Sequence, residues 1–168
     1  MANLIRELAS GRSAVNDMNA AAEHAASRWT KPRAPGKWSP SQIVEHVARA
    51  LDESAKTVEG VPTDFPTLPS FVRPVMRGIF FNRVLKNERF PKARTNRAMN
   101  PISGPSTVAE GRQRLEEAFT RFEQSCRAKP EGARIVSTIF GTIAVDSWVR
   151  FQALHIRHHI KQLHGGAD

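Results

Sequence analysis

The stretch FQALHIRHHIKQL, residues 151–163, carries three of the six histidines in a chain of 168 residues. On a helical wheel at about 100° per residue with His155 at zero, Trp148 falls near 20° and His159 near 40°. Val145 and Leu163 lie near 80°, and Val149, Ile156 and Ile160 at about 100–140°, while Asp146, Arg150, Arg157 and Lys161 take the opposite, wet face. The pattern predicts an amphipathic helix from about Val145 to His164, stopped by Gly165 and Gly166. His155 and His159 border its apolar stripe on either side of Trp148. His158, near −60°, points away from the stripe and is not expected to share their chemistry.

A second stretch, WSPSQIVEH at residues 38–46, announces another helix. Ser39 is a natural cap, Pro40 suits the first helical position, Gln42 completes a capping box, and Trp38 with Ile43 is placed for a hydrophobic staple. This helix should run to about Glu59, just before Gly60. His46 again borders an apolar stripe, formed by Ile43, Val47, Ala50, Leu51 and Val58.

The remaining segments fill in the architecture. Residues 3–29 are polar and alanine-rich, helical by propensity. Thr107 with Glu110 forms a further capping box, after which Val108, Leu115, Phe119, Phe122 and Cys126 make one apolar stripe. ARIVSTIFGTI, residues 133–143, reads as a loop or a short extended piece. Residues 60–105 hold seven of the eleven prolines and read as a long connection with one short helix over about 71–87. Connections of that length in a compact domain are often functional. Long helices with little strand signal predict a single all-α domain over 1–168. Its expected form is a four-helix bundle, up-down-down-up, with the long crossover between the second and third bundle helices.

If the second and last helices are antiparallel, the early part of one lies beside the late part of the other, and His46 meets His155 and His159. Three neutral imidazoles converging at a bundle edge make a metal site with open positions. Imidazole suits zinc, nickel, copper and iron alike, so the metal stays unassigned. Against this stands the ordinary reading of each histidine as a hydrogen-bonded residue at the border of a core. Gln162, one turn beyond His159, lines the pocket, bonds a ligand's far nitrogen, or is an ordinary surface glutamine. Glu53 lies too far along its helix to join the same coordination sphere. Trp38 and Trp148 read as staple and core, Cys126 as a buried inert thiol, and His24 and His164 as surface residues.

The net charge of +9 leaves room for an acidic partner. Eight Lys and Arg stand against the single acid Glu88 between Arg73 and Arg97. Lys92, Arg94 and Arg97, late in the crossover, are expected near the metal, either as a positive rim for an anionic substrate or as part of a solvated loop. The same segment supports a rival reading as a basic nucleic-acid-binding protein, although no nucleic-acid fold motif accompanies it. One cysteine excludes an internal disulfide. The opening MANLIRELASGR lacks the apolar region of a secretory signal, and no apolar run reaches membrane-spanning length, so the expectation is a cytoplasmic protein without a membrane partner. An apolar helix face leaves room for a homodimer.

WSPSQIVEH together with HIRHHIKQL resembles the DinB/YfiT-like superfamily of four-helix-bundle metalloenzymes, in the pattern Trp-Ser-x-x-Gln-Ile-x-x-His early and His-x-x-x-His-x-x-Gln-Leu late. IFGTIAVDSW, residues 139–148, is similar to an uncharacterised branch of that superfamily. The resemblance implies a divalent metal (zinc, nickel or iron) held by His46, His155 and His159. It also implies, for some relatives, thiol-dependent transfer or isomerisation with a low-molecular-weight thiol such as bacillithiol, mycothiol or glutathione. Ser137-Thr138 departs from it, standing where His-Pro is expected. The leading expectation is a metal-dependent enzyme, either such a transferase or a hydrolase. A bundle with a purely structural metal is a further alternative.

Overall fold

The computed structural model describes residues 2–91 and 99–164. The chain is mainly helical, with one small two-stranded sheet among the described residues. Four long helices carry the core: α1 (Ala2–His24), α2 (Pro40–Glu59), α5 (Val108–Arg127) and α6 (Val145–Leu163). Between α2 and α5 the chain forms α3 (Arg73–Met76), a π turn (Arg77–Phe81) and α4 (Asn82–Asn87).

The helix starts follow the local chemistry of the sequence. Ser39 Oγ accepts from the Gln42 N–H while Gln42 reaches back to the Ser39 N–H, and Thr107 and Glu110 repeat the arrangement at α5. Each box satisfies two amides that the first turn leaves without intrahelical partners. Gly60, at φ 81°, closes α2 in the left-handed region, where a side chain would be strained. The first helix ends earlier than the composition predicts: α1 stops at His24 and a short 3-10 turn, Ala26–Arg28, carries the chain to Trp29.

Side-chain contacts fix how the long helices run. His46 meets His155, and Trp148 Nε1 donates to the Ser54 carbonyl at 3.4 Å, so α2 and α6 are antiparallel. Arg112 pairs with Glu23 at 2.8 Å and Arg12 with Glu123 at 3.3 Å, so α1 and α5 are antiparallel. Arg114 spans Glu45 and Asp52, and Ser125 bonds Glu59, so α2 and α5 run the same way. Between these helices lie Leu8, Val15, Met18, Val47, Leu51, Leu115, Phe119, Phe122 and Ile156, all at most 1% exposed.

The mainly helical fold carries one element beyond the expected helices, a hairpin just before α6. Strand β1 (Arg134–Ser137) pairs antiparallel with β2 (Gly141–Ala144), Ile135 opposite Ile143. The segment expected as a loop or extended piece is therefore a paired one. Its alternation is clear along β1, where Ile135 and Ser137 are buried and Arg134 and Val136 exposed, but four residues are too few to stand out against helical flanks. Ser137 Oγ accepts from the Ile139 and Phe140 N–H groups at 3.2 Å each, and Gly141 turns the chain at φ 69°. Ser137 thus closes the hairpin turn.

The end of the crossover is tied to the start of α2. Ser41 Oγ and Trp29 Nε1 both donate to the Pro105 carbonyl, at 2.6 and 2.8 Å, and Gln42 Nε2 donates to the carbonyls of Pro101 and Ile102. Gly104 lies so close to this helix start that an added Cβ would sit 2.3 Å from the Ser41 carbonyl oxygen. Only glycine permits that approach, and it is this approach that lays residues 99–105 over the N-terminal part of α2, beside His46.

Candidate metal centre

His46 projects from the second turn of α2, and His155 and His159 from successive turns of α6. Their ring nitrogens form a group within 4.8 Å of one another, the arrangement able to hold a metal ion. His155 Nε2 lies 3.3 Å from His46 Nε2 and 3.0 Å from His159 Nε2. Two ligands on a tetrahedral ion at about 2.0–2.1 Å per nitrogen are about 3.3–3.4 Å apart, so these separations fit one shared ion.

Two of the three outer nitrogens are already occupied. His46 Nδ1 donates to the Met99 carbonyl at 2.8 Å, and His159 Nδ1 donates to Gln162 Oε1 at 2.8 Å. Protonation at Nδ1 leaves Nε2 as the lone-pair nitrogen on both rings, and both lone pairs face His155 Nε2. The facing lone pairs are satisfied either by the N–H of His155 in its neutral Nε2 tautomer or by a cation. The environment resists protonating the rings further. Burial pushes His46 below its ordinary pKa despite the opposing bond to Met99. Burial, and then the neighbouring rings of His159, His46 and His158, hold His155 well below its own. Neutral imidazoles are the form that binds metal.

The three rings form one end of a cavity of about 370 Å³. Trp38, half-buried, covers His46 with ring centres 4.8 Å apart and donates from Nε1 to Asn100 Oδ1. Much of the remaining lining is aromatic: Phe80, Phe90, Phe140, Trp148 and Phe151. Trp148 and Phe151 stack at 5.5 Å, and Phe90 reaches both Phe151 and His155, at 4.9 and 5.4 Å. The π turn brings the consecutive Phe80 and Phe81 both to Phe140 and Phe151. Among the described residues this lining contains no Asp, Glu, Lys or Arg.

The other residues singled out by the sequence take varied places. Gln162 lines the cavity and supplies the second-nitrogen bond of His159. His158 is half-buried beside Phe90 at 5.7 Å and is not one of the three grouped histidines. Glu53 is buried away from the rings, accepting from Lys56 and from the Asp64 N–H at 2.6 Å each, where it fastens the start of the crossover. Cys126 is buried and its thiol is pushed up to about 12 by that burial, which leaves it unreactive. His24 and His164 are exposed. Arg73 and Arg77 donate to the carbonyls of Leu68 and Thr142. Lys92, Arg94 and Arg97 lie outside the described residues; the flanking Phe90, Pro91 and Met99 line the cavity.

Two participants are not anticipated by the sequence. The Met99 carbonyl is a backbone group 53 residues from His46, and no side-chain pattern marks it. Gln152 carries a legible signal: three residues before His155 and seven before His159, it shares their face of α6 and lines the cavity. No helix among the described residues is long and apolar enough to cross a membrane.

A family model described as "Protein of unknown function (DUF1569)" matches residues 6–165. No curated protein and no solved structure matches the chain.

Proposed function

The chain belongs to the DUF1569 family, and we propose that His46, His155 and His159 bind one divalent metal ion at the heart of a metal-dependent enzyme acting on small molecules. In this reading the four long helices make an up-down-down-up bundle of the DinB/YfiT-like kind, with the site on the edge between α2 and α6. The observation that carries it is the convergence of three Nε2 atoms at 3.0 and 3.3 Å while two of the rings commit their other nitrogen elsewhere. Fixing the outer nitrogen orients a ligating imidazole and sets its tautomer, as second-nitrogen partners do in metal sites generally.

A bound divalent ion would supply Lewis acidity near neutral pH toward a water or a thiol. The chain's own residues do the rest. Met99 and Gln162 hold two imidazoles in the binding tautomer. Trp38 and the aromatic wall exclude bulk water and shape the space for a substrate. Hydrolysis and thiol-dependent transfer are both within reach of such a site, and the family resemblance favours the second.

Elemental analysis of protein purified without a nickel column tests the reading. About one zinc, nickel or iron per chain is expected in the wild type and almost none in the His46→Ala/His155→Ala/His159→Ala variant. Equal metal in both, or none in the wild type after loading, would refute it.

A further inference from the structure

We infer that the aromatic cavity beside the three histidines binds a small, flat, uncharged molecule carrying one hydrogen-bond donor, and that Gln152 receives that donor. Gln152 is 3% exposed and lines the cavity, yet among the described residues nothing donates to its Oε1. Leaving a buried amide oxygen unpaired costs the equivalent of about 5- to 150-fold in a folding equilibrium. Leucine or methionine would fill much the same volume without that cost. A polar group kept buried and unpaired beside an aromatic cavity has the character of a binding residue.

The shape and charge of the cavity define the rest of the ligand. Its walls are largely aromatic and ordered in flat layers: Phe80 stacks on Phe140 and Trp148 on Phe151, each pair 9° from parallel. A volume of about 370 Å³ suits one or two fused rings. No Asp, Glu, Lys or Arg lies in the described lining to neutralise a charge on the part of the ligand that Gln152 and the rings hold. The inference deepens the metal-centre reading, because the imidazoles close the same cavity. From Gln152 to His155 the helix rises about 4.5 Å. A ligand held by Gln152 therefore turns its far end to the histidines, one ring-width away.

Indole and indene, alike in shape but differing in the N–H donor, are the probes. Each is titrated calorimetrically into the full chain, wild type and Gln152→Leu, with Gln152→Met as a second replacement and zinc content measured on every sample. The wild type is expected to bind indole about tenfold more tightly than indene. Both variants should bind indene at least as tightly as indole, keep the wild-type zinc content, and unfold no more easily than the wild type. Equal wild-type affinities, a donor preference that survives in both variants, or failure of indole to bind would overturn the inference. Absence of zinc with the donor preference intact would refute the metal centre and support the cavity assignment. Stoichiometric zinc without the preference would do the reverse.

Discussion

His46 and Met99 are 53 residues apart in sequence, and the ring Nδ1 of one donates to the carbonyl of the other over 2.8 Å. The bond exists because Gly104 allows the end of the crossover to lie against Ser41. Gly104→Ala should push residues 99–105 off α2, destabilise the fold by about 1–3 kcal/mol and weaken zinc binding although every histidine remains. Urea unfolding and a competitive zinc titration check both effects. Unchanged zinc affinity would mean that the Met99 bond does not position His46.

Gln162 plays the matching part for His159. Gln162→Leu should lower zinc affinity about 10- to 100-fold with little change in fold or in zinc stoichiometry at saturation. A loss of binding as complete as that of His159→Ala would mark Gln162 as something more than an orienting partner.

His158 and His159 are neighbours with different expected roles. His158→Ala should leave zinc content nearly unchanged, while His159→Ala should remove it. Comparable losses measured by elemental analysis would make His158 a ligand too and break the three-histidine assignment.

The lowered pKa values of His46 and His155 make the metal-free protein sensitive to acid. Both groups are held neutral by folding, so below about pH 6.5 the unfolded chain binds more protons than the native one. That stability is fully present above the unfolded value and is lost as pH falls toward the folded values. Urea unfolding in chelator at stepped pH should show this decline, and His155→Ala should flatten it. An equal slope in the variant would count against the buried neutral imidazoles as its source.

These relationships differ in how far the chain displays them. The capping boxes at Ser39 and Thr107 and the i, i+4 placement of His155 and His159 are local, so a single sequence carries them. The meeting of His46 with His155 follows from the antiparallel run of two helices, which the bundle order implies. The β1–β2 hairpin is too short to announce itself. The Met99 carbonyl depends on long-range packing, since every residue supplies a carbonyl and only the fold selects one. Gln152 is visible on the α6 wheel, but its significance is its unpaired oxygen, which emerges only when its neighbours are known.

Whether three imidazoles share one ion is decided by X-ray absorption at the zinc edge of zinc-loaded protein. Three nitrogen scatterers with imidazole outer-shell features are expected at about 2.0–2.1 Å, together with at least one further light-atom ligand. The His155→Ala variant should lose at least one of the three imidazoles. Fewer than three imidazoles in the wild type, sulfur in the first shell, or a spectrum unchanged by His155→Ala would contradict the shared site.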